Sequence, residues 1–204
     1  MASIDQNVSG NTYDKYESTN PVEKRMMAGF LGALDMMLDG LEPTTVLEVG
    51  AGEGRITAIL SERMPSATPV GLDLPDDGLA AEWGAVATPM IFADATDLPF
   101  PSKSIELVVI LEVLEHIPDP IRALHEIERV CSGTVIASVP REPIWRLGNM
   151  TRGRYLRDLG NTPGHVNHWS ARGFRSFVES AFAVDAARRP LPWTMLRATP
   201  RQPA

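Results

Sequence analysis

The chain has 204 residues, of which 44% are hydrophobic and 22% are charged, and its formal net charge is −7. These values are typical of a globular domain with a full core, and the acidic balance argues against nucleic acid as the main partner. The single cysteine, Cys131, excludes an intramolecular disulfide and fits a reducing compartment. We find no secretory signal pattern and no apolar run near the ~20 residues of a membrane span, so we expect a cytoplasmic protein.

A stretch rich in Met and Leu, residues 20–41, forms the first predicted helix. It begins at the Asn20-Pro21 pair and ends before Pro43, and its apolar residues predict a helix that packs on the rest of the domain. We interpret this helix as an N-terminal cap on a single domain that covers residues 1–204.

A short apolar run that leads into glycines is the strongest local signal. Residues 46–49 predict a buried parallel strand, and the glycines that follow predict a loop whose backbone passes close to a ligand. Glu48 lies at the end of this strand, where a carboxylate can meet a cationic amino group. Asp73 closes the next strand-like run about 20 residues after Gly54, the distance at which an acid at a strand tip reaches a ribose diol. An ordinary βα turn is the alternative interpretation.

The remaining elements alternate between strand-like and helix-like patterns, which predicts an α/β fold. A short helix ends near Trp83. The later predicted strands cover residues 90–93, 105–111, 133–139, 182–188 and 194–198, and the later predicted helices cover 121–130 and 171–181.

Three polar side chains follow the fourth predicted strand, beyond the end of a strand where open α/β sheets bind ligands. Glu112, Glu115 and His116 have the i, i+3, i+4 spacing that places side chains on one face of a helical turn. Either His165 or His168 could complete a mixed carboxylate and imidazole set, which suits magnesium, manganese, iron or zinc. The alternative is that His116 acts as a general base without a metal.

Residues 140–169, the lid segment, do not resemble core sequence. Seven arginines lie between positions 141 and 175, at 141, 146, 152, 154, 157, 172 and 175. Trp145, Tyr155 and Trp169 are interleaved with them. A long connection in a compact domain is usually functional, so we predict a lid whose aromatic faces contact the acceptor. The alternative is a solvated amphipathic helix whose Ile144, Leu147, Tyr155 and Leu156 pack inward.

The acid–glycine stretch from Glu48 to Gly54, followed by Gly71-Leu72-Asp73, resembles the class I S-adenosylmethionine-dependent methyltransferases. Residues 92–100 and 105–117 continue the family pattern in the same order. The resemblance implies a Rossmann-like, doubly wound sheet of seven mainly parallel strands with an antiparallel last strand. It also implies that Asp94 faces the adenine of the cofactor, although an Asp there can equally cap the next turn. The implied cofactor contacts are Glu48, Gly50, Ala51, Gly52, Gly54, Asp73, Leu74, Asp94, Ala95 and Leu111.

The Glu-x-x-Glu-His run resembles two metal-dependent groups of the superfamily, the small-RNA 2′-O-methyltransferases and the ubiquinone-pathway O-methyltransferases. This resemblance implies that a divalent ion such as Mg²⁺ or Mn²⁺ is held by Glu112, Glu115, His116 and His165. A second histidine, His168, leaves the fourth ligand open. We therefore expect catalytic roles for Glu115, His116 and His168.

Residues 155–169 look most like bacterial methyltransferases of glycan synthesis, and in particular the methylmannose polysaccharide 1-O-methyltransferase type. This implies O-methylation of a small saccharide or glycan precursor by a monomer or homodimer, with Tyr16, Trp145, Tyr155 and Trp169 as acceptor contacts. One alternative is a quinone-pathway, catechol-type O-methyltransferase whose arginine-rich segment rests on a membrane surface. Another is a non-catalytic cofactor-binding module.

Overall fold

The computed structural model describes residues 20–84, 86–151, 153 and 155–201. Tyr16, which we expected to contact the acceptor, lies outside the described residues, as do Arg152 and Arg154 of the lid segment.

Seven strands form the sheet: β1 (Val46–Val49), β2 (Val70–Asp73), β3 (Met90–Phe92), β4 (Ile105–Leu111), β5 (Cys131–Pro140), β6 (Phe182–Arg188) and β7 (Trp193–Pro200). Their order across the sheet is β3-β2-β1-β4-β5-β7-β6. Strands β1 to β5 pair in parallel, whereas β7 is antiparallel to both β5 and β6. The predicted fold class, a mainly parallel sheet with an antiparallel last strand, is confirmed.

Helices cover both faces of this sheet: α1 (Pro21–Leu38), α2 (Arg55–Arg63), α3 (Asp77–Trp83), α4 (Pro120–Val130), α5 (Ile144–Thr151) and α6 (Ala171–Val178). Alternate residues of β4 point to opposite faces, as the strand period requires. Val108 and Ile110 pack with α4 and α6, whereas Leu107 and Val109 pack with α1 and α2. Both faces of the sheet are therefore buried, which explains why β4 is a continuous apolar run.

Several element boundaries differ from the prediction. Helix α1 ends at Leu38 rather than at residue 41, because Gly40 adopts a left-handed conformation with φ of 74°. Strands β5 and β7 are longer than predicted, since Pro140 still pairs with Trp193 at one end. Helix α6 ends at Val178 rather than at residue 181, and the sequence offered no clear stop signal there. In the described ranges, no helix combines the length and apolarity needed to cross a membrane.

The sheet order brings the predicted site residues to one edge. Because β1 to β5 are parallel, the loops that follow them all leave the sheet at its carboxyl edge. The chain moves from β1 to β2 and β3 on one side, and then returns to place β4 and β5 on the other side. A crevice opens at such a reversal, here between β1 and β4, and open α/β sheets bind their ligands in this crevice.

Candidate functional site

Residues 50–54, the glycine loop, are tied to the neighbouring strand by backbone hydrogen bonds. The N–H groups of Gly50 and Ala51 donate to the carbonyl of Leu72 at 2.7 and 2.9 Å. Gly54 donates to the carbonyl of Ala51 at 2.9 Å and then begins α2 with φ of 81°. The loop is therefore held in place by β2, in a conformation that favours glycine.

Two glycines of this loop differ in what surrounds them. A Cβ added at Gly50 would collide with the side chain of Val113, so the loop packs directly against the chain that follows β4. A Cβ added at Gly52 would meet no atom within 4 Å. Open space therefore lies beside Gly52, and a ligand can approach the backbone closely there.

Asp73 lies at the tip of β2 and holds the glycine loop through its carboxylate. Its Oδ2 accepts a hydrogen bond from the Gly52 N–H at 2.7 Å, and its Oδ1 accepts one from the Leu74 N–H at 2.7 Å. Burial raises the pKa of Asp73, and the two backbone donors partly oppose that shift. Each carboxylate oxygen has a further lone pair, so Asp73 can also accept hydrogen bonds from a ligand diol.

An aromatic pair flanks this position, and the sequence analysis did not assign it to the site. The Trp83 indole donates to the Gly52 carbonyl at 2.8 Å and stacks on Phe92, with ring centroids 4.3 Å apart. Phe92 is the register partner of Asp73 on β3, and 40% of it stays exposed. Leu74 is also exposed. These side chains form an apolar surface beside Asp73 against which a flat purine ring can pack.

The other expected cofactor contacts are an acid that caps a turn and two buried apolar residues. Asp94 caps the turn that follows β3, because its Oδ1 accepts hydrogen bonds from the Thr96 N–H at 2.7 Å and the Thr96 hydroxyl at 2.8 Å. Asp94 therefore caps this turn, and its expected contact with the adenine stays a prediction. Ala95 and Leu111 are buried, and Leu111 ends β4 at the carboxyl edge.

Glu48 is a buried acid within β1. The Thr57 hydroxyl donates a hydrogen bond to its Oε2. Burial raises the pKa of Glu48 to about 8, and the Thr57 hydrogen bond opposes this only in part. The side chain is therefore mostly protonated at neutral pH, and a cation that binds beside it favours release of that proton.

Glu115, His116 and His165 come together as an acid–imidazole cluster. Each offers a ligand atom, and these atoms all lie within 4.8 Å of one another. Glu115 is only 1% exposed, and the rings of His116 and His165 meet edge to face. One carboxylate and two imidazoles form a donor set that suits a divalent ion.

The tautomer of neutral His116 follows from its backbone partner. Its Nδ1 lies 3.1 Å from the carbonyl oxygen of Gly164, which can only accept a hydrogen bond. In the neutral ring Nδ1 therefore carries the proton, and Nε2 is the nitrogen whose chemistry allows it to accept a proton or bind a metal ion.

Two other expected members lie outside this cluster. Among the described residues the set does not include Glu112, whose Oε1 accepts a hydrogen bond from the Ser138 hydroxyl at 2.9 Å. Glu112 leaves β4 in a left-handed conformation with φ of 61°, which breaks the single helical face that its spacing predicted. His168 is exposed and pairs with Oδ1 of Asn161 at 2.6 Å, so His165 is the histidine placed beside His116.

The three aromatic residues of the lid segment differ in exposure: Trp145 is buried, Trp169 is half-buried and Tyr155 is exposed. Trp145 is 9% exposed, donates to the Thr162 hydroxyl at 2.8 Å and stacks on His165. Trp169 packs on the phenyl rings of α6. The Tyr155 side chain is exposed. Trp145 and Trp169 therefore help to hold the lid segment in place, whereas the apolar residues that the structural alternative expected to pack inward are exposed.

A backbone hydrogen bond joins the two ends of the lid segment, and large apolar side chains are exposed along it. The Glu142 N–H donates to the carbonyl of Trp169 at 2.9 Å, which closes the base of the segment. Arg146 pairs with Glu142 at 3.4 Å. Large hydrophobic side chains stay exposed along this segment: Ile144, Leu147, Tyr155, Leu156, Leu159 and Val166. An apolar ligand can therefore bind this surface.

Comparisons with known proteins agree with this geometry. A family model described as a methyltransferase domain matches residues 47–136. The demethylmenaquinone methyltransferase of Thermus thermophilus is 30% identical over an alignment that covers 76% of this chain and 73% of that protein. The chain belongs to the S-adenosylmethionine-dependent methyltransferases. The matched region includes β1, the glycine loop, Asp73 and the first two members of the acid–imidazole cluster.

Two further similarities extend this result. The ubiquinone biosynthesis O-methyltransferase of Pseudomonas paraeruginosa is 33% identical over 59% of this chain, which spans only 55% of that relative. The crystal structure of magnesium protoporphyrin IX methyltransferase from Synechocystis, with bound SAH, has a TM-score of 0.65. It is 16% identical and covers 90% of this chain and 89% of its own, so it shows a shared fold alone.

The residues at the carboxyl edge fit the cofactor of this family. The open space beside Gly52 gives room for close approach to the backbone, and Asp73 provides acceptors for a ribose diol. Phe92 offers an exposed ring for the purine. Glu48 is only 3% exposed, so its expected contact with the amino group of the cofactor stays a prediction.

Proposed function

We propose that this chain is an O-methyltransferase that uses S-adenosylmethionine to methylate a hydroxyl group held at the acid–imidazole cluster. The observation that supports the proposal most directly is the position of Glu115, His116 and His165, whose ligand atoms lie within 4.8 Å of one another. They lie beyond β4, across the crevice from the glycine loop. A hydroxyl acceptor needs a proton acceptor at this place.

The chain's own residues have separable tasks in this proposal. Asp73 and the glycine loop hold the ribose, and Phe92 packs on the purine. S-adenosylmethionine supplies, when bound, an electrophilic methyl group on a sulfonium. His116 is hydrogen-bonded through Nδ1 to Gly164, so its Nε2 is the atom that takes the hydroxyl proton. The lid segment excludes water from the reacting atoms.

A divalent ion would offer an alternative to proton transfer to His116, because Nε2 of His116 would then bind the ion instead. Glu115, His116 and His165 would hold it, and its charge would lower the pKa of the bound hydroxyl. A hydroxyl with high pKa, such as that of a sugar, needs this help more than a phenol does. Because the donor set contains two imidazoles, manganese, iron and zinc suit it better than magnesium.

The first candidate acceptor is a catechol or other phenol that carries an apolar tail. The exposed hydrophobic side chains of the lid segment support it, since they offer a surface that an isoprenoid-like tail can cover. The quinone-pathway names of both relatives point to the same class. In this reading the arginines beside the apolar surface also suit contact with an anionic membrane surface.

A small saccharide or glycan precursor is the second candidate. The sequence resemblance of residues 155–169 to glycan methyltransferases supports it, and vicinal hydroxyls can bind one ion through both oxygens. Tyr155, which is exposed, is the remaining aromatic candidate for stacking on a sugar ring. Burial of Trp145 weakens this candidate, because that side chain was expected to contact the sugar.

A screen of acceptors tests the proposal. Purified protein would be incubated with S-adenosylmethionine and either catechols, with and without an isoprenoid tail, or short oligosaccharides. Each reaction would be run with added Mn²⁺ and after exhaustive chelation, and S-adenosylhomocysteine and the methylated product would be measured. We expect turnover with tailed catechols. Cofactor binding without turnover on any hydroxyl compound would favour a non-catalytic binding module.

A further inference from the structure

The turn that carries Glu115 and His116 is held both by its own backbone hydrogen bonds, at 2.9 Å from His116 to Val113 and 3.3 Å from Ile117 to Leu114, and by a second chain segment. It is a single 3₁₀ turn, Leu114–His116, and such short turns have weak internal hydrogen bonding and leave carbonyl groups without helical partners. Its carbonyls are satisfied from a distant part of the chain. The Asn167 side-chain amide donates to the carbonyls of Leu114 at 3.1 Å and Ile117 at 2.6 Å.

The backbone of the same segment completes this contact. The N–H groups of Val166 and Asn167 both donate to the carbonyl of Glu115, at 2.9 and 3.0 Å. The Gly164 carbonyl faces Nδ1 of His116. Residues 164–167 therefore hold the turn on both sides of the two functional side chains, and they also supply His165 itself.

We propose that Asn167 is the positioning residue of the acid–imidazole cluster. By bridging the carbonyls of Leu114, at the start of the turn, and Ile117, just after it, its amide fixes the turn against residues 164–167. It thereby sets the position of Glu115 relative to His165 and presents the Gly164 carbonyl to His116. This inference deepens the proposed function, since it rests on that cluster being where the acceptor hydroxyl binds.

The chemistry of the amide makes the inference specific. A carboxylate at position 167 has nearly the same shape but donates no hydrogen bond, and its negative charge would face two carbonyl oxygens. N167D should therefore loosen the turn rather than leave a cavity. N167S removes the two donors without adding charge, so it gives the same test if N167D fails to fold. N20D is the matched control, because an Asp at the start of α1 still accepts from the Val22 N–H.

The decisive measurement is nitrogen NMR of the histidine side chains in protein without acceptor or metal, with the His116 signals assigned by comparison with H116Q. We expect wild type and N20D to show His116 protonated at Nδ1. We expect N167D or N167S to show a mixture of both tautomers, while thermal unfolding remains cooperative. A single, unchanged Nδ1–H tautomer in a folded position-167 variant would overturn the proposal.

Kinetic measurements then test whether the position of His116 matters for methyl transfer. In N167S we expect kcat to fall by about tenfold or more, while cofactor affinity stays within about twofold of wild type. Equal kcat for N167S and N20D would also overturn the positioning role. If wild type transfers no methyl group to any hydroxyl, the proposed function fails, whereas the NMR result still decides whether Asn167 orders the cluster.

Discussion

The imidazole rings of His116 and His165 lie edge to face, with centroids 4.8 Å apart and planes at 86°. His116 comes from the turn after β4, and His165 comes from the far end of the lid segment. Trp145 stacks on His165 at a centroid distance of 5.9 Å, which restrains that ring further. The site is therefore assembled from two chain segments, and each can be altered separately.

Metal binding should depend on three of the four residues expected from the sequence. We expect E115Q, H116A and H165A each to abolish tight Mn²⁺ binding measured by electron paramagnetic resonance, because each removes one donor. E112Q should keep it, since Glu112 bonds to Ser138. Exhaustive chelation should then remove activity and added Mn²⁺ should restore it. Full activity in metal-free protein would instead leave His116 as a general base.

Cofactor affinity should depend on Asp73. D73N keeps the shape of the side chain but weakens both its hold on the Gly52 N–H and its contacts to a ribose diol. Hydrogen bonds to a charged group are worth ~1.5–3 kcal/mol each, so we expect at least about a tenfold loss of affinity by calorimetry. D77N, on the exposed side of α3, is the control. Wild-type affinity in D73N would place the ribose elsewhere.

The buried Glu48 should make the stability of the free protein depend on pH. Its pKa is 4.5 in the unfolded reference and about 8 in the fold, so between these values the folded state binds more protons than the unfolded state. Stability should therefore fall as pH rises through this range, with a slope of up to ~1.4 kcal/mol per pH unit from this group. E48Q cannot ionise and should flatten that slope in denaturant titrations. An identical slope in wild type and E48Q would contradict the assignment.

The two loop glycines should respond differently to alanine. G50A forces a collision with Val113 and a left-handed alanine, so we expect a loss of roughly 2–4 kcal/mol in unfolding free energy. G52A meets no neighbouring atom, so it should lose only ~1–2 kcal/mol from its φ of 51°. It should nevertheless weaken cofactor binding by filling the open space. The double variant G50A/V113A should recover part of the loss, as measured by thermal unfolding.

The apolar surface of the lid segment should recognise an acceptor tail. Leu147 and Leu156 are both exposed there, and L147E/L156E should raise KM for a tailed catechol without changing KM for the tail-free compound. L191E is the matched control, since Leu191 is similarly exposed outside the lid segment. If the double variant alters neither KM, the saccharide candidate gains support.

The fold was predictable because its signals are periodic and local. The apolar run of β4, the glycines after β1 and the acid at the tip of β2 each carry their own pattern. The details of the site depend on contacts that no local pattern encodes. Glu112 departs from its expected face through one left-handed φ, and His165 rather than His168 approaches His116 because residues 164–167 bond to the turn after β4. The sequence around Trp145 predicted a contact with the acceptor, but a sequence pattern does not tell which side of the lid segment is buried.

The close packing of Gly50 on Val113 joins the two halves of the crevice. Val113 immediately precedes the turn that carries Glu115 and His116. A ligand that shifts the glycine loop would also shift Val113, so we expect the acceptor to bind more tightly to the loaded protein than to the empty one. Steady-state kinetics should therefore be sequential, with S-adenosylmethionine binding first and S-adenosylhomocysteine leaving last.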